Sequence, residues 1–298
     1  MRIVFLLSMP RSGSTLLRLH LDRFEGAIAL PETHFFVFKE KYAKCDLSKP
    51  EDRKFLAGKW TDLYSTRKFL IDHGALRERI AHDARQWQDV FLYTIEAYRK
   101  AVKPDLEDPL WIEKSPPHIF FQPAIRAMFP EARFIHLVRD PRSVIGSLKT
   151  MPWSTSNVYA LARSWQRALD LVPSDDEKHF VKYEDLVREP ENTFNSLANF
   201  LGMNTAYRET AQATGIQANP HPTVVKALKP ISTEMIEKWR GQLSVQDSDL
   251  AIIQDVCSKG MERMGYIPAA VVKDRNYSIN KFSGMLRFGL MRVLGTRT

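Results

Sequence analysis

Cysteine is scarce: the 298 residues carry only Cys45 and Cys257. Two cysteines so far apart, in unrelated contexts, suggest neither a disulfide framework nor a Cys-rich metal site, and a reducing compartment fits that usage. Long apolar runs are also lacking. The first one, Ile3 to Leu7, is far too short for a membrane span or the core of a secretory signal, so it is expected to belong to the fold. No Gly/Ser-rich or Pro-rich linker divides the chain and no fixed-period repeat runs through it, which favours one large domain. Missing as well is the nucleotide-triphosphate loop, in which Gly and four further residues precede Gly-Lys-Ser/Thr. No helix-turn-helix, zinc-finger or aromatic RNA-binding signature is present, so nucleic acid is not an expected partner.

A chain that is 44% hydrophobic and 26% charged can bury a sizeable core. Its net charge of +8 fits either an anionic partner or a merely basic surface. Short apolar runs recur: Arg2 to Ser8, Ala27 to Leu30, Trp111 to Lys114, Arg133 to Val138 and Phe180 to Tyr183. Each reads as a strand, and helical spacings fill the intervals, notably between Asp52 and Lys103 and from Glu184 through Leu201. Strands alternating with helices predict an α/β fold with a parallel sheet flanked by helices, and such sheets bind ligands at the carboxyl ends of their strands.

The residues that can carry chemistry stand at those ends. After the first strand, Met9-Pro-Arg-Ser-Gly-Ser-Thr15 opens a helix. Backbone amides and the positive helix terminus there suit an anion, although an ordinary strand-to-helix turn reads the same way. Pro31-Glu-Thr-His34 sets a carboxylate and an imidazole on one side of an extended segment. Glu32 is the candidate general base, on the expectation that partial burial raises its pKa. His34 would orient Glu32 or the acceptor, or titrate. Strand four runs into Arg139-Asp-Pro-Arg-Ser-Val-Ile-Gly-Ser147. Arg139 and Ser147 could close on one phosphate, or Asp140 and Pro141 could simply cap a helix.

Ser8-Met-Pro-Arg-Ser-Gly-Ser-Thr-Leu-Leu17 resembles the 5'-phosphosulfate loop of the sulfotransferase family, and Arg139 to Ser147 resembles its 3'-phosphate motif. The Glu32 segment is similar to the Glu-x-His-Phe-Phe stretch of heparan sulfate sulfotransferases and the Glu-Thr-Arg stretch of tyrosylprotein sulfotransferases. Glu113-Lys-Ser-Pro-Pro117 resembles the Glu-Lys-Thr-Pro element of the carbohydrate enzymes, and Tyr183-Glu-Asp185 an adenine-contacting element. The resemblance implies a P-loop-like central parallel sheet and a donor, 3'-phosphoadenylyl sulfate (PAPS), that leaves as 3'-phosphoadenosine 5'-phosphate (PAP). It gives Arg11, Ser12, Gly13, Ser14 and Thr15 the 5' end of the donor, and Arg139 and Ser147 its 3'-phosphate. Tyr183 falls to the adenine, and Lys238 or Arg240 to a basic loop over the 3'-phosphate. Glu32 becomes the base and Lys114, with Arg11, a cation at the departing oxygen, without a metal. The implied acceptor is a hydroxyl: glycan first, then peptide tyrosine, then a small alcohol. The alternatives are a P-loop kinase and a catalytically inert nucleotide-binding module.

Residues 1–279 are expected to form the domain and 280–298 a basic amphipathic tail. Such a tail either packs back on the domain or lies on an anionic membrane surface. The expected location is cytoplasmic, peripheral to the inner face of a membrane in the second case.

Overall fold

A computed structural model describes residues 1–172, 178–203, 222–243, 247–273 and 275–293. Ile3, Val4, Phe5, Leu6 and Leu7 are apolar on both alternating faces and at most 3% exposed, so β1 (Arg2–Ser8) must sit inside the sheet. It does. With β2 (Ala27–Ala29), β3 (Leu110–Glu113), β4 (Arg133–Val138) and β5 (Lys178–Lys182), it forms a sheet of order β2-β3-β1-β4-β5. Every neighbouring pair is parallel.

The period of two in β1 distributes its side chains between two layers. Ile3, Phe5 and Leu7 point into the larger one, where the rings of Phe36, Phe91, Phe129 and Phe134 surround Phe5 at centroid distances of 5.8 to 6.5 Å. Truncating such a residue to alanine typically costs about 3–5 kcal/mol. The helices Pro50–Thr61, His73–Asp83 and Trp87–Val102 contribute to this layer from the middle of the chain. Val4 and Leu6 point the other way, towards the helices Ser14–Leu21, Tyr183–Arg188 and Pro190–Leu201.

The expected elements return with small, physically informative shifts. The third strand ends at Glu113, which frees Lys114 from the ladder. The fifth ends at Lys182, and Tyr183 opens a helix instead of closing the strand. The helix expected through Leu201 is broken between Arg188 and Pro190, because the residue before a proline is driven out of the α region; Glu189 has φ −133° and ψ 60°.

The C-terminal helix begins at Arg275, ahead of the expected tail, and runs to Val293. One of its faces packs on the helices Val158–Asp170 and Ser248–Val256. The Tyr277 hydroxyl donates to Asp255 Oδ2 (3.0 Å), Asn157 Nδ2 donates to the Gly284 carbonyl (3.0 Å), and Phe288 meets Tyr159 edge-on at 6.1 Å. Position 284 must be glycine for this approach, since a Cβ there would lie 2.8 Å from Tyr159 Cβ. Residues 294–298, with Arg297, lie outside the described residues. Among the described residues no helix is long and apolar enough to cross a membrane.

Candidate functional site

Strands in parallel register end together. Phe5 pairs with Glu113, Ser8 with Leu137 and Val138 with Lys182, so the segments after all five strands line one edge of the sheet. After β1 the chain turns sharply through left-handed conformations at Arg11 (φ 69°) and Gly13 (φ 95°), and Gly13 caps the helix Ser14–Leu21. A non-glycine residue held at positive φ stores strain of the kind found at functional sites. The first amides of a helix lack intrahelical partners and face whatever occupies the turn. Gly13 is further constrained from outside: an added Cβ would come 2.5 Å from Tyr183 Cδ2, so the Tyr183 ring lies directly against the loop.

The segment after β4 closes on the same loop. Arg11 Nε donates to Ser147 Oγ at 3.0 Å, across 136 residues of sequence. Arg139 donates through Nη1 to the Arg11 carbonyl (3.1 Å) and through Nη2 to the Met235 carbonyl (2.5 Å), and its guanidinium lies 4.1 Å from the centre of the Tyr183 ring. Arg139 Nε is buried with no hydrogen-bond partner among the described residues, and so is Ser8 Oγ. Burial pulls the Arg139 pKa down, as expected of a cation with too little counter-charge. A spare buried donor on a desolvated cation, beside a helix N-terminus and a ring, has the chemistry to hold a phosphate attached to an aromatic base.

The second cluster joins β2 to β3. Lys114 Nζ bonds Glu32 Oε1 and lies 3.4 Å from Thr15 Oγ1, so one ammonium connects the carboxylate to the anion loop. His34 Nε2 stands 3.2 Å from Glu32 Oε2, with His34 itself left-handed at φ 53°. Lys114 is 3% exposed and Glu32 39%, so the carboxylate faces outward from a buried cation. This reverses the expected pKa of Glu32. Burial does push its carboxyl up, but the Lys114 charge and hydrogen bonds from His34 and Lys114 outweigh it and hold the group well below the usual carboxylate range. Burial alone would raise the pKa, and the ammonium that accompanies it, supplied by another strand, reverses the sign.

A buried network fixes this cluster. Glu113 Oε1 accepts from Thr33 Oγ1 (2.7 Å) and Ser115 Oγ (2.6 Å), while Glu113 Oε2 pairs with His118 Nδ1 at 2.8 Å. The Phe36 amide donates to His118 Nε2 (3.2 Å), so the ring proton sits on Nδ1, facing Glu113. The His34 amide donates to Ser115 Oγ at 2.9 Å. Thr33 and His34, which follow Glu32, are thereby tied to Glu113 and Ser115, which flank Lys114. On the opposite side, Glu184 accepts from the Asp140 amide (3.1 Å) and the Tyr266 hydroxyl (2.9 Å), and Trp165 Nε1 donates to the Arg139 carbonyl (3.1 Å).

Arg11, Gly13, Thr15, Glu32, His34, Lys114, Arg139, Ser147 and Tyr183 are thus brought to one edge, with Ser12 and Ser14 buried inside the loop. Lys238 and Arg240 are exposed on a short 3-10 turn, Arg240 pairing with Glu237 at 3.1 Å, and what this segment offers Arg139 is the Met235 carbonyl. Glu113, His118, Thr33, Ser115, Glu184 and Trp165 support this edge without belonging to any of the motifs' expected contact residues. Glu113 did carry a signal: a carboxylate at the end of an otherwise apolar buried strand requires partners.

A profile of the sulfotransferase family matches residues 4–207. The chain belongs to the sulfotransferase family. It is similar to protein-tyrosine sulfotransferase 1 of Danio rerio, at 25% identity over 91% of this chain and 74% of the relative. It is also similar to carbohydrate sulfotransferase 3 of Tetronarce californica, at 24% over 56% of this chain and 42% of that one. Among solved structures, the sulfotransferase domain of the Synechococcus PCC 7002 olefin synthase superposes with a TM-score of 0.59 at 26% identity, covering 86% of this chain and 94% of that domain. The domain from the curacin biosynthetic pathway shares the fold, with a TM-score of 0.57 at 22% identity. The protein is a sulfotransferase enzyme with the fold of that family, and the kinase and inert-module readings fall away.

Proposed function

We propose that this enzyme transfers a sulfuryl group from PAPS to an acceptor hydroxyl, with Glu32 as general base. The observation that carries this reading is the position of Lys114, held between the Glu32 carboxylate and Thr15 of the anion loop. The residues present fit the donor. Arg139, with its spare buried Nε, and Ser147 would hold the 3'-phosphate, and Tyr183 the adenine. Arg11 and the amides of Gly13 to Thr15 would hold the 5' end. When bound, the donor supplies an activated sulfuryl group whose S–O bond to the 5'-phosphate breaks as the acceptor oxygen bonds to sulfur, the electron pair staying on the phosphate oxygen.

The protein's own groups serve the two ends of that exchange. Glu32 takes the acceptor proton, for which it must be ionised beforehand, and Lys114 keeps it so. Arg11 and Lys114 place fixed positive charge at the departing oxygen, where charge develops. The two tasks of Lys114 are coupled: as the ammonium turns to the donor, it releases Glu32 to become more basic. His34 orients the carboxylate through its 3.2 Å contact.

For the acceptor, the relatives that match over nine-tenths of the chain are named protein-tyrosine sulfotransferases, which moves peptide tyrosine ahead of the glycan favoured by the sequence motifs. A screen of tyrosine peptides, oligosaccharides and small alcohols, with labelled PAPS and mass detection of one added sulfuryl group, tests this. Label on the glycans alone would overturn the preference, and label on none of them with intact PAP binding would overturn the reaction.

A further inference from the structure

Beyond this reaction, the outward face of the helix Arg275–Val293 stays open to solvent among the described residues. Its inward face, carrying Tyr277, Gly284 and Phe288, is held by Asp255, Asn157 and Tyr159. At 3.6 residues per turn, Ile279, Phe282, Leu286 and Leu290 fall on the opposite side in a single stripe about 16 Å long. They are 52, 62, 55 and 61% exposed. From Arg275 to Thr298 the sequence has five cations and no carboxylate side chain. Lys281 is paired with Asp255 on the packed side, whereas Arg275 and Arg287 stand exposed beside the stripe. The loop that provides the Asn157 anchor also exposes Trp153, at 63%. Indole rings are enriched where protein meets the membrane–water interface.

We infer that this face docks the enzyme on an anionic phospholipid surface, with Phe282, Leu286 and Leu290 entering the headgroup layer and Arg275 and Arg287 meeting lipid phosphates. The helix lies flat on the domain, so its apolar stripe can enter along its whole length, as interfacial helices do. Charge selects lipid over a second copy of this chain. A twofold contact would set the same patch against itself, cation against cation, with no carboxylate on either helix to relieve it. An anionic headgroup layer supplies the missing charge without demanding a register.

The test is flotation of the full-length protein with vesicles of phosphatidylcholine alone and of phosphatidylcholine mixed equally with phosphatidylglycerol. The compared variants are Phe282→Ser/Leu286→Ser/Leu290→Ser and Arg275→Glu/Arg287→Glu. These side chains are exposed, so both variants should keep the wild-type circular dichroism and thermal midpoint. Expected are wild-type flotation with the anionic vesicles only, its loss in high salt, and a fall of at least about tenfold in partitioning for each variant. Brominated lipid should quench wild-type fluorescence more than that of Trp153→Phe. Absence of wild-type flotation, or flotation indifferent to the serine variant, would overturn the inference. So would a wild-type dimer in sizing chromatography that the serine variant converts to monomer without any vesicle binding.

Discussion

Replacing Glu32 by Gln separates the two tasks assigned to Lys114. Gln keeps an oxygen for the ammonium and the imidazole but removes the negative charge, so it deletes the base and releases the cation in one step. A contact ion pair is worth about 4 kcal/mol at an effective permittivity near 20. Glu32 is 39% exposed, and solvent screening of that kind reduces the figure to about 1 kcal/mol. Wild-type donor binding must spend that amount in sharing Lys114, and the variant need not. Glu32→Gln should therefore bind PAP about fivefold more tightly in titration calorimetry while losing about 10²- to 10⁴-fold in single-turnover transfer, the range for a general base. Wild-type transfer should decline at acid pH as Glu32 protonates, a limb the variant lacks. Transfer within tenfold of wild type would refute the role of base; PAP binding weakened more than threefold would refute the coupling through Lys114.

Three further outcomes are expected. Arg139→Ala should lose affinity for PAP while leaving that for adenosine 5'-phosphate nearly unchanged, so calorimetry with both ligands shows the 3'-phosphate discrimination collapsing. Gly13→Ala forces a Cβ into the Tyr183 ring at a positive φ, and should lower stability by about 1–3 kcal/mol in urea denaturation as well as weaken PAP binding. Glu113 has a pKa that burial would raise but that His118, Ser115 and Thr33 bring below the usual range. A depressed carboxylate pKa stabilises the fold fully above the unfolded value, near 4.3, and the benefit is lost as pH falls through the folded value. Glu113→Gln should therefore cost about 1–3 kcal/mol at neutral pH, the range for leaving buried hydrogen-bond donors without their acceptor, with the gap to wild type narrowing in acid.

The strands were legible because parallel strands buried on both faces are written as short apolar runs, and Arg2 to Ser8 is about as plain as such a run can be. Motif order then placed Arg11, Arg139 and Glu32 at strand ends. What the sequence could not show was pairing across the sheet. Arg11 meets Ser147 across 136 positions, and Glu32 meets Lys114 across 82. The direction of the Glu32 pKa shift is hidden for the same reason: its sign depends on a partner supplied by another strand. Lys238 and Arg240 lie exposed in the same segment, and the contact with Arg139 is made by the Met235 backbone carbonyl, which no side-chain pattern announces.

Because each strand ends in step with its neighbours, every one of the five contributes a residue to the same edge. The central strands already bring the anion loop to Lys114, Arg139 and Ser147, but Glu32 and Tyr183 come only with the two edge strands, so a donor held as proposed would reach its full affinity only after the last crossover has docked. Occupancy by the donor then acts as a reporter of complete assembly, and by mass action it stabilises the whole sheet rather than any one loop.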